Sequence, residues 1–114
     1  MSKIYKIIEE GLWRQAVAAG EFKGAEIDLQ DGYIHLSSES QVEATARLHF
    51  SGKPNLLLVG FDPVIFGETL KWEASRGGDL FPHVHGTLDP ASALWAKALP
   101  WNGHSHEFPE GWTS

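Results

Sequence analysis

Two short stretches hold most of the residues that could do chemistry. The first is DGYIHLSS, residues 31–38. Read as a strand, it alternates sides: Ile34 and Leu36 enter the core, while Tyr33, His35 and Ser37 project together from the other face. A neutral imidazole offers one donor and one acceptor, and a serine hydroxyl offers both. A His-x-Ser pair beside an aromatic ring can therefore grip ribose hydroxyls or an amide. The bland alternative is a solvated strand face, which is normally polar.

The second stretch is FPHVHG, residues 81–86. Phe81, His83 and His85 share one face of a strand, and Pro82 and Val84 share the other. Two imidazoles at this spacing can chelate a metal ion from one side. They can equally position a ligand or shuttle a proton near neutral pH, or simply be solvated or satisfied in the core. Between the stretches, Trp72 could stack on a flat ring and Glu73 could act as a general base or orient a hydroxyl. Their plain alternatives are core for Trp72 and surface for Glu73. Arg76 could pair an anionic group or be a solvated loop residue. His49, near the end of a helix, reads as structural, and His104 and His106 could complete a metal site but read first as residues of a solvated tail. If the two histidine strands adjoin, His35, Ser37, His83 and His85 converge on one cleft.

The elements around these stretches follow from periodicity. Residues 3–8 alternate loosely and predict a strand. Residues 9–19 predict a helix with Leu12, Trp13, Ala16 and Val17 on one face and Gly20 as its cap. Residues 25–29 place Ala25, Ile27 and Leu29 against Glu26 and Asp28, which predicts a half-buried strand, with Asp31-Gly32 as a turn into the strand of residues 33–37. Ser38 and Gln41 have capping-box spacing before a second helix whose apolar face is Val42, Thr45, Ala46, His49 and Phe50. The run Leu56-Leu57-Leu58-Val59 predicts a central strand buried on both faces. Residues 69–74, 83–88 and 93–99 complete the strands, and residues 100–114 predict an irregular tail packed on the domain. The expected fold is α+β: one domain over residues 1–114 with its core in 3–99, mostly antiparallel strands in two small sheets, and two helices in the N-terminal half.

Composition narrows the function. The 114 residues include no cysteine, which removes disulfides and thiol chemistry and suits a reducing compartment. The apolar stretch near the N-terminus is too short and too charged for a signal peptide or a membrane helix, so the cytoplasm is the expected location. A net charge of −6, with nine scattered Lys and Arg, argues against nucleic-acid or anionic-membrane binding. No GxGxxG, P-loop, HExxH or GxSxG pattern occurs, so those chemistries are not expected.

Taken in order, Trp13-Arg14 with Ala16, DGYIHLSS, Gln41-Val42, the Leu-Leu-Leu-Val strand, Leu-Lys-Trp-Glu and FPHVHG resemble a bacterial and plant family catalogued as domain of unknown function nine hundred and fifty-two. The resemblance runs from Ile4 to about Leu99. It implies an ADP-ribosyltransferase-like fold, two small sheets around a nicotinamide-nucleotide cleft. It also implies that His35 and Ser37 match the His-x-Ser/Thr pair that holds the ribose and the nicotinamide amide. NAD is the implied cofactor. Tyr33, Trp72 or Phe81 would stack on the base, and His83, His85 or Glu73 would orient the reacting group. Behind this reading stand a non-catalytic interaction module, suggested by five tryptophans, and a zinc site of His35, His83 and His85.

Overall fold

The computed structural model describes residues 2–114, with the backbone alone at Arg76; the pairing considered for the Arg76 side chain lies outside the described residues. Seven strands run in chain order: β1 (Ile4–Glu9), β2 (Ile34–His35), β3 (Ser37–Ser38), β4 (Leu56–Phe61), β5 (Leu70–Ala74), β6 (Leu80–Val84) and β7 (Trp95–Ala98). Three α-helices, α1 (Glu10–Ala19), α2 (Glu26–Asp31) and α3 (Val42–His49), all fall in the first half. Short 3-10 turns at Pro63–Thr69, Arg76–Gly78 and Pro90–Ser92 connect the later strands.

The strands form two antiparallel sheets, one ordered β3-β1-β4-β7 and the other β2-β6-β5. Alternation explains how they stack. On β1, Ile4 and Ile8 join a core with Ile34, Val84 and Phe61, while Tyr5 and Ile7 join a second core with Val42, Ala46 and Leu58. Strand β4 divides the same way, Val59 and Phe61 to one side and Leu56 and Leu58 to the other. The four-stranded sheet is thus buried on both faces, as the Leu-rich run predicts. One face packs on the three-stranded sheet and α1. The other is covered by α3 and by the tail, where Phe108 and Trp112 lie against the core and Trp112 sets its ring 5.1 Å from Tyr5. His106 is accordingly not solvated: it is buried, and its Nε2 lies 3.0 Å from the Lys53 carbonyl.

Between Ile4 and Ile8, on the face turned to the other sheet, β1 carries Lys6, which is only 5% exposed. A buried ammonium needs a partner and three acceptors. It finds them in Asp28 Oδ1 at 3.1 Å, Asp28 Oδ2 at 2.9 Å and the His35 carbonyl at 2.9 Å. This pair corrects the strand expected over residues 25–29. The segment is helix α2, with Ile27 and Leu29 exposed and Asp28 buried, the reverse of the expected alternation. Asp28 Oδ2 accepts the Ala25 N–H at 2.8 Å, the reach-back half of a capping box. Gly32, in the left-handed region at φ 86°, caps α2 rather than turning a hairpin.

Residues 33–37 are not one strand either. The chain leaves the three-stranded sheet after His35, donates the Leu36 N–H to the Pro82 carbonyl at 3.0 Å, and enters the four-stranded sheet at Ser37. Helix α3 starts at Val42 with Gln41 as its N-cap; Gln41 Oε1 accepts the Ser38 N–H, so the expected capping partners meet one turn before the helix proper. Strand β6 begins at Leu80 and ends at Val84, earlier than the strand expected over 83–88.

Burial alone would raise the Asp28 carboxyl, but its hydrogen bond from His35, the Lys6 charge and two backbone N–H donors hold it down at about 2. A folded-state value below the unfolded one means that the stabilisation is complete above about pH 4 and fades as the pH falls toward about 2, a loss of about 2 kcal/mol. Asp28→Asn should flatten that part of the stability–pH curve in denaturant titrations. It should also cost about 3–5 kcal/mol at neutral pH, because Lys6 stays buried without its counter-charge. Gly24 has φ 127°, and a Cβ there would stand 2.8 Å from the Asp28 Cβ. Gly24→Ala should lower stability by more than about 1 kcal/mol in the same assay, whereas a substitution at an unstrained, uncrowded position would not.

Candidate functional site

His35 and His83 face each other directly across the β2–β6 ladder, so the two histidine stretches do adjoin. Their rings meet edge to face with centroids 5.4 Å apart. Tyr33 lies against all the rings of the group, at 4.7 Å from His35, 4.2 Å from His83 and 5.2 Å from His85. His85 sits one residue beyond β6, fixed by its backbone N–H to the Thr69 carbonyl at 2.8 Å.

Glu73, on β5 beside β6, organises the second pair. Its Oε1 is 2.9 Å from His83 Nδ1 and 2.7 Å from His85 Nε2. Hydrogen bonds from His85 and then His83 hold its carboxyl below the ordinary glutamate value. As an ionised carboxylate it only accepts, so both imidazoles turn an N–H toward it. Across the ladder, His35 Nδ1 lies 2.7 Å from Asp28 Oδ1 and His35 Nε2 lies 2.9 Å from Asp31 Oδ2. Both ring nitrogens of His35 are thus turned to carboxylates.

A cleft of about 600 Å³ is lined by residues of both sheets, His35, Ser37, Phe81 and His83 among them, together with Lys6 and Lys53. Four of the residues singled out from the sequence therefore share one concavity. Ser37 belongs to the other sheet, is 4% exposed, and its hydroxyl is 2.9 Å from that of Thr45. Tyr33, Glu73 and His85 buttress His83 without forming the cleft wall. Trp72 is neither core nor cleft: it stands on the opposite face of β5 from Glu73 and is 46% exposed. His49 also lines the cleft, from the last turn of α3. Among the described residues, no three His, Asp or Glu side chains are placed to share a metal ion, and at least one nitrogen of each of the three histidines faces a carboxylate instead.

One atom of the group has no partner. His83 is 1% exposed and its Nε2 is buried with no hydrogen bond among the described residues. The sequence points to His83 but not to this orphan. It also gives no sign of Asp28 and Asp31, the carboxylates that lock His35. The available hint was Lys6, a charge at a position where the alternation of β1 demands an apolar residue.

Comparison with known proteins bears on kinship rather than chemistry. Two crystal structures of protein CC0527 from Caulobacter crescentus, one of them a double mutant, are 40% identical to this chain with TM-score 0.88, covering 92% of this chain and 93% of theirs. The solution structure of the same protein matches at TM-score 0.80 and 40% identity, over 91% and 90% of the two chains. The comparison with curated proteins finds no match. The family described as "Protein of unknown function (DUF952)" matches residues 7–96, and the chain belongs to that family.

Proposed function

We propose that the cleft between the sheets binds a small molecule bearing hydroxyl or amide groups, a ribose-bearing nucleotide such as NAD, and that His83 makes the deciding contact. The observation that carries this reading is the buried, unpartnered Nε2 of His83 on a ring that lines a cleft shared with His35, Ser37 and Phe81. Leaving a polar atom buried and unpaired costs about 1–3 kcal/mol. Such atoms are rare in folded proteins and each calls for an explanation, which a ligand in the cleft would supply here. Phe81 offers an apolar wall beside it for a flat base.

The finer version of this reading is an ADP-ribosyltransferase-like fold and reaction. Two antiparallel sheets that both line a cleft, with the His-x-Ser residues His35 and Ser37 in its wall, support it, the ring nitrogens of His35 being already turned to Asp28 and Asp31. Glycosidic cleavage through an oxocarbenium-like state needs orientation and negative charge nearby more than a strong nucleophile. Asp28, Asp31 and Glu73 supply charge around the histidines. The absence of cysteine suits a cytoplasmic setting. No helix among the described residues is long and apolar enough to cross a membrane.

Calorimetric titration tests the reading. NAD should bind the full chain with measurable heat at millimolar concentration, and His83→Leu should weaken it roughly tenfold or more while circular dichroism reports an intact fold. If His83→Leu proves unfolded, Phe81→Leu, which keeps an apolar wall but removes the ring, should weaken binding by a smaller factor. Absence of heat from the wild-type protein at millimolar NAD overturns the proposal.

A further inference from the structure

Resting on the reading of the cleft as a small-molecule site, we infer that its His83 end selects by hydrogen-bond polarity: it takes a neutral donor, a carboxamide or hydroxyl, and turns away the matching carboxylate. The argument starts at Glu73. One oxygen of this carboxylate receives His83 Nδ1 at 2.9 Å and His85 Nε2 at 2.7 Å. An ionised carboxylate cannot donate, so His83 must bring its hydrogen on Nδ1. A neutral imidazole has only one such hydrogen, which leaves Nε2 as a bare lone pair. That nitrogen has no hydrogen-bond partner among the described residues, although the ring lines the cleft. Whatever meets it must bring its own hydrogen.

The surrounding charges point the same way. A carboxylate at Nε2 would set lone pair against lone pair, within reach of the field of Glu73, Asp28 and Asp31. The buried and half-buried cations nearby are already committed, and the exposed ones are screened by solvent. Lys6 spends all three donors on Asp28 and the His35 carbonyl. His35 turns both nitrogens to carboxylates. Lys71, opposite His83 in the β5–β6 register, is solvent-exposed. Lys53, which also lines the cleft, is exposed and sits over the Phe50 ring. A buried polar site that lacks a compensating cation discriminates strongly between donor and anion, because the wrong ligand leaves its groups unpaired.

Two measurements on the full-length chain test this. Long-range nitrogen–proton NMR at slightly alkaline pH reads the tautomer of each histidine. His83 should show a protonated Nδ1 and a bare Nε2. In Glu73→Gln, whose amide can donate to Nδ1, the proton should move toward Nε2. A wild-type His83 with its proton on Nε2 overturns the inference. The second measurement compares nicotinamide with nicotinate, which share a ring and differ in the one group. Nicotinamide should shift the His83 resonances at a concentration about tenfold lower than nicotinate, one hydrogen bond's worth of free energy. An equal or stronger response to nicotinate overturns the polarity rule even with the expected tautomer. No response to either probe instead sinks the cleft as a nicotinamide-nucleotide site, and the ring's polarity is then judged by the tautomer alone.

Discussion

The structure depends on one buried ion pair. Lys6 projects from β1 into the space between the two sheets, where every neighbour on its strand face is aliphatic, and Asp28 comes up from α2 to meet it. Neither group could stay there alone, since each ion would lose several kcal/mol of hydration. Together they fix a great deal of chain. Asp28 accepts from Lys6, from the backbone of Ala25 and His35, and from the His35 ring. The start of α2, the path of β2 and the orientation of His35 are thereby set by one carboxylate. Such a pair contributes specificity of arrangement more than net stability, because an apolar pair of similar size would fill the space as well.

From that anchor the charges alternate outward. Lys6 is answered by Asp28, Asp28 by His35, and His35 by Asp31 at the surface. On the facing strand, Glu73 answers His83 and His85. Tyr33 lies against histidine rings of both sets. This division gives the two histidines that face each other across the ladder unlike roles: His35 has no ring nitrogen left for a guest, while His83 keeps one. The pattern is that of groups pre-oriented by a second layer of carboxylates, which is how folded proteins hold a polar site rigid.

Much of the architecture was legible in the sequence. Period-two and period-3.6 patterns placed β1, α1, α3 and the doubly buried β4 to within a residue or two, because each turns apolar side chains to a core, although Val17, expected on the apolar face of α1, is exposed. The convergence of His35 and His83 was legible too, since alternation puts their side chains on strand faces that can meet. Residues 25–29 were misread because five residues fit period two as well as a short helix, and the deciding force was non-local: Asp28 is captured by a lysine 22 positions earlier in the chain. The split of residues 33–37 between two sheets was equally hidden, because both halves are extended and only pairing partners distinguish them. The orphaned nitrogen of His83 belongs to the same class. No pattern along the chain records which ring atoms go without a partner once the sheets close.

Leu36 is the only residue between β2 and β3, so the two sheets are stitched together by a single peptide step at the edge of the cleft. A hinge needs slack, and one extended residue hydrogen-bonded to Pro82 has none. The cleft therefore cannot gape at this edge as two jaws do. Its width there is a fixed dimension of the fold, and a guest must fit the gap as built, with side chains rather than sheets doing the yielding.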